Sequence, residues 1–392
     1  MKILFISHKF PPAIGGMERH AYELHSRLSQ QHELIDLIYD NQEGRFRFFR
    51  KLQSRIRAIF QQHSDIDLVY VNEGLLASFV APIKKWTKAK IIATVHGLDV
   101  VFPNRWYQRF IQKRLNLLDG LIAVSKATAE ACEVRNIGVG KTFVVNNGVD
   151  HQLAYVPKDE HFLAHFQQKH RIDLGQKKIL VTMGRPVRRK GFSWFVKKVM
   201  PLLETDTILL IIGPNNNKTP ALFQYLPPSM QKQLAILFSM ESDAVDLAAA
   251  VQLPANKNRV FQLGKLPFLE VQQLLQAANL FVMPNRRIEG DMEGFGLVAL
   301  EAAIMGTPVV ASGIEGITNA IQDGQNGYLL PAEQPSVWVK TIHDILQQPA
   351  ALRQFSQQVQ QYTLAHFGWS EMAGAYGEVF DDVAKFSSLT HY

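Results

Sequence analysis

Two glutamates, Glu293 and Glu301, lie eight positions apart in the segment EGFGLVALEAAIMG. If the residues between them are mostly helical, their carboxylates are separated by about 12 Å along the helix axis. This separation suits the two ends of a nucleotide-diphosphate sugar. Glu301 can accept hydrogen bonds from both ribose hydroxyls, and Glu293, on the loop, faces the sugar. The backbone amides from Gly294 to Gly296 are expected to point into the same site.

The alternative is that Glu301 is a surface acid of the helix and that Glu293 only favours the helix dipole. The surroundings of Glu301 argue against it, because LVALEAAIMG is apolar on nearly every side and a carboxylate there is costly without a partner. We therefore predict a donor-binding segment that also includes Gly294, Phe295, Gly296 and Leu297.

A basic segment, GRPVRRKG, follows the apolar run KILVTM. Arg185 offers a rigid fork for phosphate oxygens, and Lys190 offers a mobile point charge beside Gly191. Together they can neutralise a diphosphate leaving group. The alternative is a solvated basic loop.

Gly15 and Gly16 lie between the first apolar run and the helical pattern MERHAYELHSRL. Glycines at a helix start let the backbone approach an anion, and the free amides there donate hydrogen bonds, so a phosphate is the expected ligand. The alternative is a tight turn. The pattern is not the GxGxxG of dinucleotide-binding dehydrogenases. Ser312 to Gly316 form a second glycine-bearing helix start, for a phosphate or a sugar hydroxyl.

His96 ends the apolar run KIIATVH. An imidazole at this place can donate a hydrogen bond to a sugar hydroxyl or stabilise charge at the reacting carbon. The alternative is an ordinary histidine at the end of a strand. Ser125, before KATAEAC, is better explained as a helix N-cap.

Short β-branched runs alternate with amphipathic helical stretches along the chain, a pattern typical of parallel strands buried between helices. The predicted strands of the first half are KILFIS, ELIDLIY, LVYVN, KIIATVHG, GLIAVS and TFVVNN, and those of the second are KILVTMG, TILLIIG, RVFQLG, LFVMPN and PVVAS. The polar stretch 151–176 is predicted as linker and hinge. The predicted domains are 1–165 and 166–368, with 369–392 as a terminal helix of uncertain docking.

The ordered series GGME, HG, VVNNGVD, GRPVRRKG and EGFGLVALEA resembles the retaining glycosyltransferases of family 4 over nearly the whole chain. This resemblance implies the GT-B fold, two Rossmann-like domains that face each other across a cleft, with 1–165 on the acceptor side and 166–368 on the nucleotide-sugar side. It implies that Gly16 approaches the diphosphate, that Arg185 and Lys190 bind it, and that Glu301 holds the ribose. Glu293 and His96 then contact the transferred sugar. The base is expected at the backbone from Gly264 to Leu266.

The resemblance also implies a mechanism without a protein nucleophile, in which the acceptor hydroxyl attacks on the face that the diphosphate leaves. No metal is expected, because Arg185 and Lys190 replace it. Asp65-Ile66-Asp67 has the spacing of a metal-binding pair but precedes a strand, and we interpret it as a strand-entry loop. The expected donor is UDP-glucose, with GDP-mannose as the alternative, and the acceptor is a saccharide or lipid-linked sugar of cell-surface polysaccharide or glycolipid synthesis. The stretch 285–292 departs from the family and is expected to shape the acceptor site.

The composition fits a globular cytoplasmic protein. Of the 392 residues, 47% are hydrophobic and 20% charged, a balance unlike that of disordered chains. The single cysteine, Cys132, excludes an intramolecular disulfide and is read as a buried or idle thiol. The net charge of +7 favours anionic partners.

Two other classes of protein remain as alternatives. An NAD-dependent dehydrogenase also uses Rossmann domains, but its fingerprint glycines are missing. A non-catalytic module for nucleic acid or anionic membrane is the second, based on the basic helical pattern 45–57, in which Phe48, Leu52, Ile56 and Phe60 share a face. That helix either lies on a membrane, which would place the protein on the inner membrane face, or packs Phe48 and Leu52 into the core. No nucleic-acid recognition motif is present.

Overall fold

The computed structural model describes residues 1–13, 15–40, 42–214 and 242–385. By internal packing the chain divides into two compact units. Unit 1 contains residues 1–148 and the residues from Gly368 onward, and unit 2 contains Val149–Phe367.

Unit 1 is built on a six-stranded sheet of order β2-β1-β3-β4-β5-β6, in which every neighbouring pair is parallel. The strands are β1 Lys2–Ser7, β2 Glu33–Ile38, β3 Leu68–Val71, β4 Lys90–Val95, β5 Gly120–Ala123 and β6 Thr142–Val144. The helices that connect them are α1 Gly16–Leu28, α2 Arg45–Gln62, α3 Gly74–Val80, α4 Leu98–Val101, α5 Arg105–Leu115 and α6 Lys126–Val134.

Unit 2 repeats this architecture with a parallel sheet of order β12-β11-β10-β7-β8-β9. The strands are β7 Lys178–Met183, β8 Thr207–Ile212, β9 Val260–Gly264, β10 Leu280–Met283, β11 Val309–Ser312 and β12 Gly327–Leu330. The described helices are α7 Phe162–His170, α8 Phe192–Lys198, α9 Ala244–Val251, α10 Phe268–Ala277, α11 Leu297–Ile304, α12 Ile317–Ala320, α13 Pro335–Leu346 and α14 Pro349–His366. The final described helix is α15 Trp369–Lys385, which belongs to unit 1.

Strands inside each sheet, with a neighbour on both sides, are buried on both faces. Residues Leu68–Val71 of β3 and Thr207–Ile212 of β8 are buried along their whole length, as expected for parallel strands that are covered by helices on both sides. The fold is thus two Rossmann-like α/β units, which confirms the fold class. Because all strands of each sheet are parallel, the loops that follow them lie at one edge, where ligands bind in open α/β sheets.

All eleven predicted strands are present, and β12 was missed. Its sequence, GYLL, is only four residues long and directly follows the turn residues Gly324 to Asn326. It is an edge strand whose middle residues are half-buried, so its sequence carries little periodic signal.

The stretch 151–176, predicted as a linker, is instead packed onto unit 2. It contains α7, and Phe162 and Phe166 of this helix are buried. Gln273 of α10 donates a hydrogen bond to the carbonyl of Pro157 (2.7 Å) and accepts one from the amide of Asp159 (2.9 Å). Long-range bonds from polar side chains order this segment, and composition alone does not show them.

The domain boundaries also differ from the prediction. The first change of unit occurs at Gly148 and Val149 rather than near 165, and the chain returns to unit 1 at Gly368. There α15 packs against α1, with Trp369, Tyr376 and Phe380 buried. The docking of the terminal helix, left open by the sequence, is therefore onto unit 1.

Candidate functional site

In unit 2, the loops after β7, β10 and β11 meet at the carboxyl edge of three neighbouring strands. Gly191 ends the basic loop after β7 with φ +66°, in the left-handed region. A Cβ atom at this position would overlap the carbonyl oxygen of Pro284, which follows β10. Glycine is required here because the two loops touch through their backbones.

The contact between these loops centres on the carboxylate of Glu293. Three donors converge on its Oε2 atom: Lys190 Nζ at 2.6 Å, Arg189 Nη1 at 2.8 Å and Asn285 Nδ2 at 3.0 Å. The side chains of Lys190, Arg189 and Glu293 are only 10–13% exposed. One carboxylate oxygen, Oε2, is thus fixed by three donors of the protein.

Charge keeps this carboxylate ionised. Burial alone would raise the pKa of Glu293, but the positive charges of Arg189 and Lys190 outweigh it and lower the pKa to about 2. Burial lowers the pKa of Lys190, against the opposing effect of Glu293. Glu293 is therefore a hydrogen-bond acceptor at neutral pH and not an acid.

Lys190 was predicted as a cation available to a diphosphate, but its ammonium group is already paired with Glu293. Arg185, from the same loop, is exposed. The structure brings Lys190 together with Glu293, and a phosphate group that binds Lys190 must compete with a carboxylate.

Sequence reasoning missed the role of Arg189. Its Nε donates to Asp291 Oδ1 at 3.2 Å, and its Nη1 donates to Glu293, so one guanidinium joins two acids of the loop after β10. The sequence does contain a signal for this pairing, because two acids, Asp291 and Glu293, follow one buried strand and the basic run RRK follows another. Asn285 and Asp291, both in the stretch 285–292, support Glu293 directly or through Arg189. The expected effect of this stretch on the acceptor site stays a prediction.

The segment between the two glutamates is only partly helical. The helix α11 begins at Leu297, after Gly296 in the left-handed region with φ +101°. The 12 Å separation assumed a longer helix, so it does not apply. Phe295 is buried, which makes it an anchor of the loop, and Glu301 is half-buried on α11.

The remaining predicted donor residues lie elsewhere along this edge. Gly264 ends β9, with φ +71°, and its carbonyl accepts from the amide of Gly213 at 2.9 Å. Leu266, two residues later, is half-buried. Both lie at the carboxyl edge of the sheet, on the far side of β8 from the basic loop. Their contact with a base stays a prediction.

In unit 1, the glycine pair lies at the start of α1, as predicted, and the helix begins at Gly16. The carboxylate of Glu18 lies against Gly15, where it would collide with a Cβ atom. Oε1 of Glu18 lies 3.5 Å from Lys9 Nζ. A phosphate approaching Gly16 therefore meets a helix start that already carries an acid, which the sequence reading did not weigh.

His96 directly follows β4, where its side chain is half-buried and held by two contacts. Its Nε2 donates to the carbonyl of Asn72 at 2.8 Å, and its ring contacts that of His20 edge to face. Nε2 is therefore used within the protein, and a contact of His96 with the sugar would involve the other ring nitrogen, Nδ1; that contact stays a prediction. Burial, followed by the charge of His96, lowers the pKa of His20 to about 3, so His20 is a neutral partner.

A histidine–carboxylate pair, His8 and Glu73, lies at the carboxyl edge of the sheet of unit 1 and was not predicted. Nδ1 of His8, directly after β1, lies 3.0 Å from Oε1 of Glu73, which follows β3. Glu73 also caps α3 by accepting from the amide of Leu76. Burial would raise the pKa of Glu73, but His8 and nearby cations lower it. The signal in the sequence was the position of both residues just after buried strands.

Several structural interpretations are confirmed. Ser125 caps α6 by accepting from the amide of Thr128 at 3.1 Å. Asp67 accepts from the amide of Lys2 at 2.8 Å, as expected for a strand-entry loop. Cys132 is buried, and burial raises the pKa of its thiol to about 12. The metal is a separate question. In the described ranges, no group of three or more His, Cys, Asp or Glu side chains is arranged to hold a metal ion, and the expectation that the reaction needs no metal stays a prediction.

Two protein families match this chain. Residues 14–153 match the family described as Glycosyltransferase Family 4, and residues 177–348 match Glycosyl transferases group 1. The two matches cover most of both units and include the glycine pair, His96, the basic loop and both glutamates. The chain belongs to the family 4 glycosyltransferases.

Curated relatives match this glycosyltransferase over part of its length. A D-inositol 3-phosphate glycosyltransferase of Streptomyces bingchenggensis is 31% identical over 116 residues, 30% of this chain and 24% of the relative. A glycogen synthase of Mycobacterium tuberculosis is 33% identical over 130 residues, 32% of this chain and 30% of the relative. The alignments thus span 24% and 30% of the length of these two relatives.

Solved structures show the same fold over nearly the whole chain. Anabaena HepE, in complex with UDP-glucose, has a TM-score of 0.73 at 18% identity, covering 97% of this chain and all of HepE. Sucrose-phosphate synthase from Thermosynechococcus elongatus has a TM-score of 0.73 at 19% identity and covers 99% of both chains. At this identity the likeness establishes the fold alone.

Proposed function

We propose that this glycosyltransferase moves a hexose, with retention of anomeric configuration, from a nucleotide-diphosphate sugar to a saccharide or lipid-linked acceptor. The observation that carries the proposal is the Glu293 carboxylate, ionised and held through one oxygen by Lys190, Arg189 and Asn285. An acid fixed in this way can orient a sugar hydroxyl through its other oxygen without acting as a nucleophile.

In the proposed reaction, Arg185 and Lys190 stabilise the departing diphosphate, and no metal is required. Lys190 exchanges the Glu293 carboxylate for a phosphate oxygen, while Arg189 and Asn285 continue to hold Glu293. The bond between C1 of the hexose and the phosphate oxygen breaks, and the acceptor hydroxyl forms a bond to C1 on the same face. The leaving phosphate takes the hydroxyl proton.

Glu301 is proposed to bind the ribose, and the backbone from Gly264 to Leu266 the base. UDP-glucose is the first candidate donor, supported by the UDP-glucose complex of the Anabaena neighbour. GDP-mannose is the alternative. We propose cell-surface polysaccharide or glycolipid assembly as the pathway.

The experiment that tests this proposal is a donor-hydrolysis screen with UDP-, GDP- and ADP-sugars, each with and without EDTA. We expect release of UDP from UDP-glucose, unchanged by the chelator. Hydrolysis that stops when EDTA is added contradicts the metal-free mechanism. Tight binding of NAD with no binding of any sugar nucleotide contradicts the function itself.

We further propose that the enzyme contacts anionic lipid through unit 1, although not through the apolar face of α2. Phe48, Leu52 and Ile56 of that face are buried in the core. Among the described residues, none of the helices combines the length and the apolar composition that a membrane span requires. The helices α2, α3 and α5 instead carry ten cations, six on α2 and four on α5, and no acid.

Aromatic side chains connect these three helices. Phe79 of α3 contacts Phe49 of α2 and Phe110 of α5, with ring centroids 5.3 and 5.6 Å apart. Phe46 on α2 and Trp106 on α5 are 83% and 79% exposed. Exposed aromatics beside arginines are typical of surfaces that insert into anionic lipid, which favours a membrane over nucleic acid.

Vesicle co-sedimentation tests this contact. We expect recovery with anionic vesicles to exceed recovery with neutral ones, and the double variant Phe46→Ala/Trp106→Ala to lose most of the difference. Tyr155→Ala is the control, because Tyr155 is 71% exposed but lies in unit 2. Equal recovery of the unmodified chain with both kinds of vesicle contradicts the proposal.

A further inference from the structure

The backbone of Glu293 is held by a segment that follows β11. Its amide donates a hydrogen bond to Oε2 of Glu315 at 2.6 Å, and its carbonyl accepts one from the amide of Gly316 at 3.1 Å. A Cβ atom on Gly316 would overlap the carbonyl of Gly294, so the two segments lie in direct backbone contact. Both polar backbone groups of Glu293 are therefore bound by residues 315 and 316.

Glu315 is in an uncommon conformation. Its φ of +52° lies in the left-handed region, which disfavours residues with a Cβ and favours glycine. A glutamate at this position accepts a hydrogen bond from the Glu293 amide through its side chain, which a glycine cannot do. Residues in sparsely populated backbone conformations cluster at functional sites, so the contact that Glu315 makes is worth testing.

The charges that face Glu315 are the carboxylate of Glu293 and the guanidinium groups of Arg287 and Arg189. Burial raises the pKa of Glu315 to about 7, the negative charge of Glu293 adds to this effect, and the Glu293 amide and the two arginines oppose it. Glu315 therefore changes its charge near neutral pH, whereas Glu293 stays ionised.

We propose that Glu315 is a positioning residue for sugar transfer, whose carboxyl group holds the Glu293 backbone and so aims the Glu293 carboxylate at a hydroxyl of the hexose. The inference rests on the proposed function. An ionised carboxylate accepts the Glu293 amide more strongly than a neutral acid does. Turnover therefore rises as the pH passes upward through about 7, where Glu315 loses its proton.

Two variants separate this role from a role in folding. Glu315→Gly removes the carboxyl group and leaves the residue that the backbone conformation favours, so the chain is expected to fold. Glu315→Gln keeps an oxygen acceptor but cannot ionise. The matched control is Glu333→Gln, since Glu333 also has a positive φ, +57°, but pairs with Arg286 at the surface.

The experiment measures kcat and KM for UDP-glucose hydrolysis from pH 6 to 8.5, together with UDP affinity by calorimetry. We expect Glu315→Gly to lower kcat at least tenfold and to change the Kd for UDP less than threefold. Glu315→Gln is expected to stay within threefold of the unmodified enzyme at pH 6 and to lack the rise near pH 7. The control is expected to behave like the unmodified enzyme.

Unchanged kcat in Glu315→Gly overturns the inference, as does a loss of UDP affinity as large as the loss of kcat. So does a rise near pH 7 that persists in Glu315→Gln. If the unmodified enzyme hydrolyses no sugar nucleotide, the proposed function fails first and this inference with it. Activity of the unmodified enzyme that is retained in Glu315→Gly overturns the Glu315 inference alone.

Discussion

Lys190 and Glu293 form an ion pair, 2.6 Å between Nζ and Oε2, that joins the loop after β7 to the loop after β10. The pair links the group predicted to stabilise the leaving diphosphate with the group predicted to contact the sugar. In the proposed reaction, binding of the donor replaces one partner of Lys190 and leaves Glu293 held by Arg189 and Asn285.

Lys190→Ala and Glu293→Ala are each expected to lower turnover more than tenfold, or about 1.4 kcal/mol in the activation barrier. Lys190→Ala removes charge from the leaving group, and Glu293→Ala removes the acceptor for the sugar hydroxyl. Steady-state kinetics with the preferred donor provide the measurement. Lys198→Ala, on the exposed side of α8, is the control and should stay within twofold. Full activity of both site variants would refute these roles.

Arg189→Lys is expected to lower both kcat and the melting temperature. A lysine cannot bridge two acids as the planar guanidinium does, and Asp291 is left without its partner in a buried place. The double variant Arg189→Met/Asp291→Asn removes the unpaired acid, so it should recover the melting temperature without recovering kcat. Recovery of both would show that Arg189 only stabilises the fold.

Glu301→Ala is expected chiefly to weaken nucleotide binding, because Glu301 is assigned to the ribose. The measurement is the Kd for UDP beside kcat at saturating donor. A large fall in kcat with unchanged UDP affinity would indicate that Glu301 contacts the reacting sugar and not the ribose.

Glu315 also gives the stability a pH dependence. Its pKa is raised in the folded chain, from 4.5 to about 7, so the folded state binds more protons than the unfolded state between these values. The free energy of unfolding therefore falls as the pH rises from about 4.5 to about 7, by roughly 1–3 kcal/mol from this group. Melting temperatures across this range should fall less steeply in Glu315→Gln. Parallel curves for the two proteins would contradict the assignment.

Strand positions could be predicted because parallel strands buried on both faces have a simple sequence signal. KILFIS and TILLII are continuous apolar runs bounded by polar residues, and the structure has strands at both. The edge strand β12 lacks such a run. The stretch 151–176 was misread because its order depends on Gln273, more than 100 residues later in the chain.

The site was predictable as a set of loops but not as a set of contacts. Glycine pairs, a basic run and paired acids stand out by type and spacing, and they lie at the carboxyl edges of the sheets. The pairing of Arg189 with Asp291 and the bond from Glu293 to Glu315 join loops that are about 100 and 22 residues apart. Which cation meets which acid depends on the order of β7, β10 and β11 in the sheet, and spacing along the chain does not fix that order.

In the proposed complex with the donor, Glu293 contacts the hexose while Lys190 moves to the diphosphate. A crystal structure of the enzyme with an intact, non-hydrolysable analogue of UDP-glucose tests this arrangement most directly. We predict a hexose hydroxyl within hydrogen-bond distance of Glu293 Oε1 and a phosphate oxygen within 3.5 Å of Lys190 Nζ, roughly the hydrogen-bond limit. A bound analogue with the hexose away from Glu293, and Lys190 still paired to Glu293, would contradict the account.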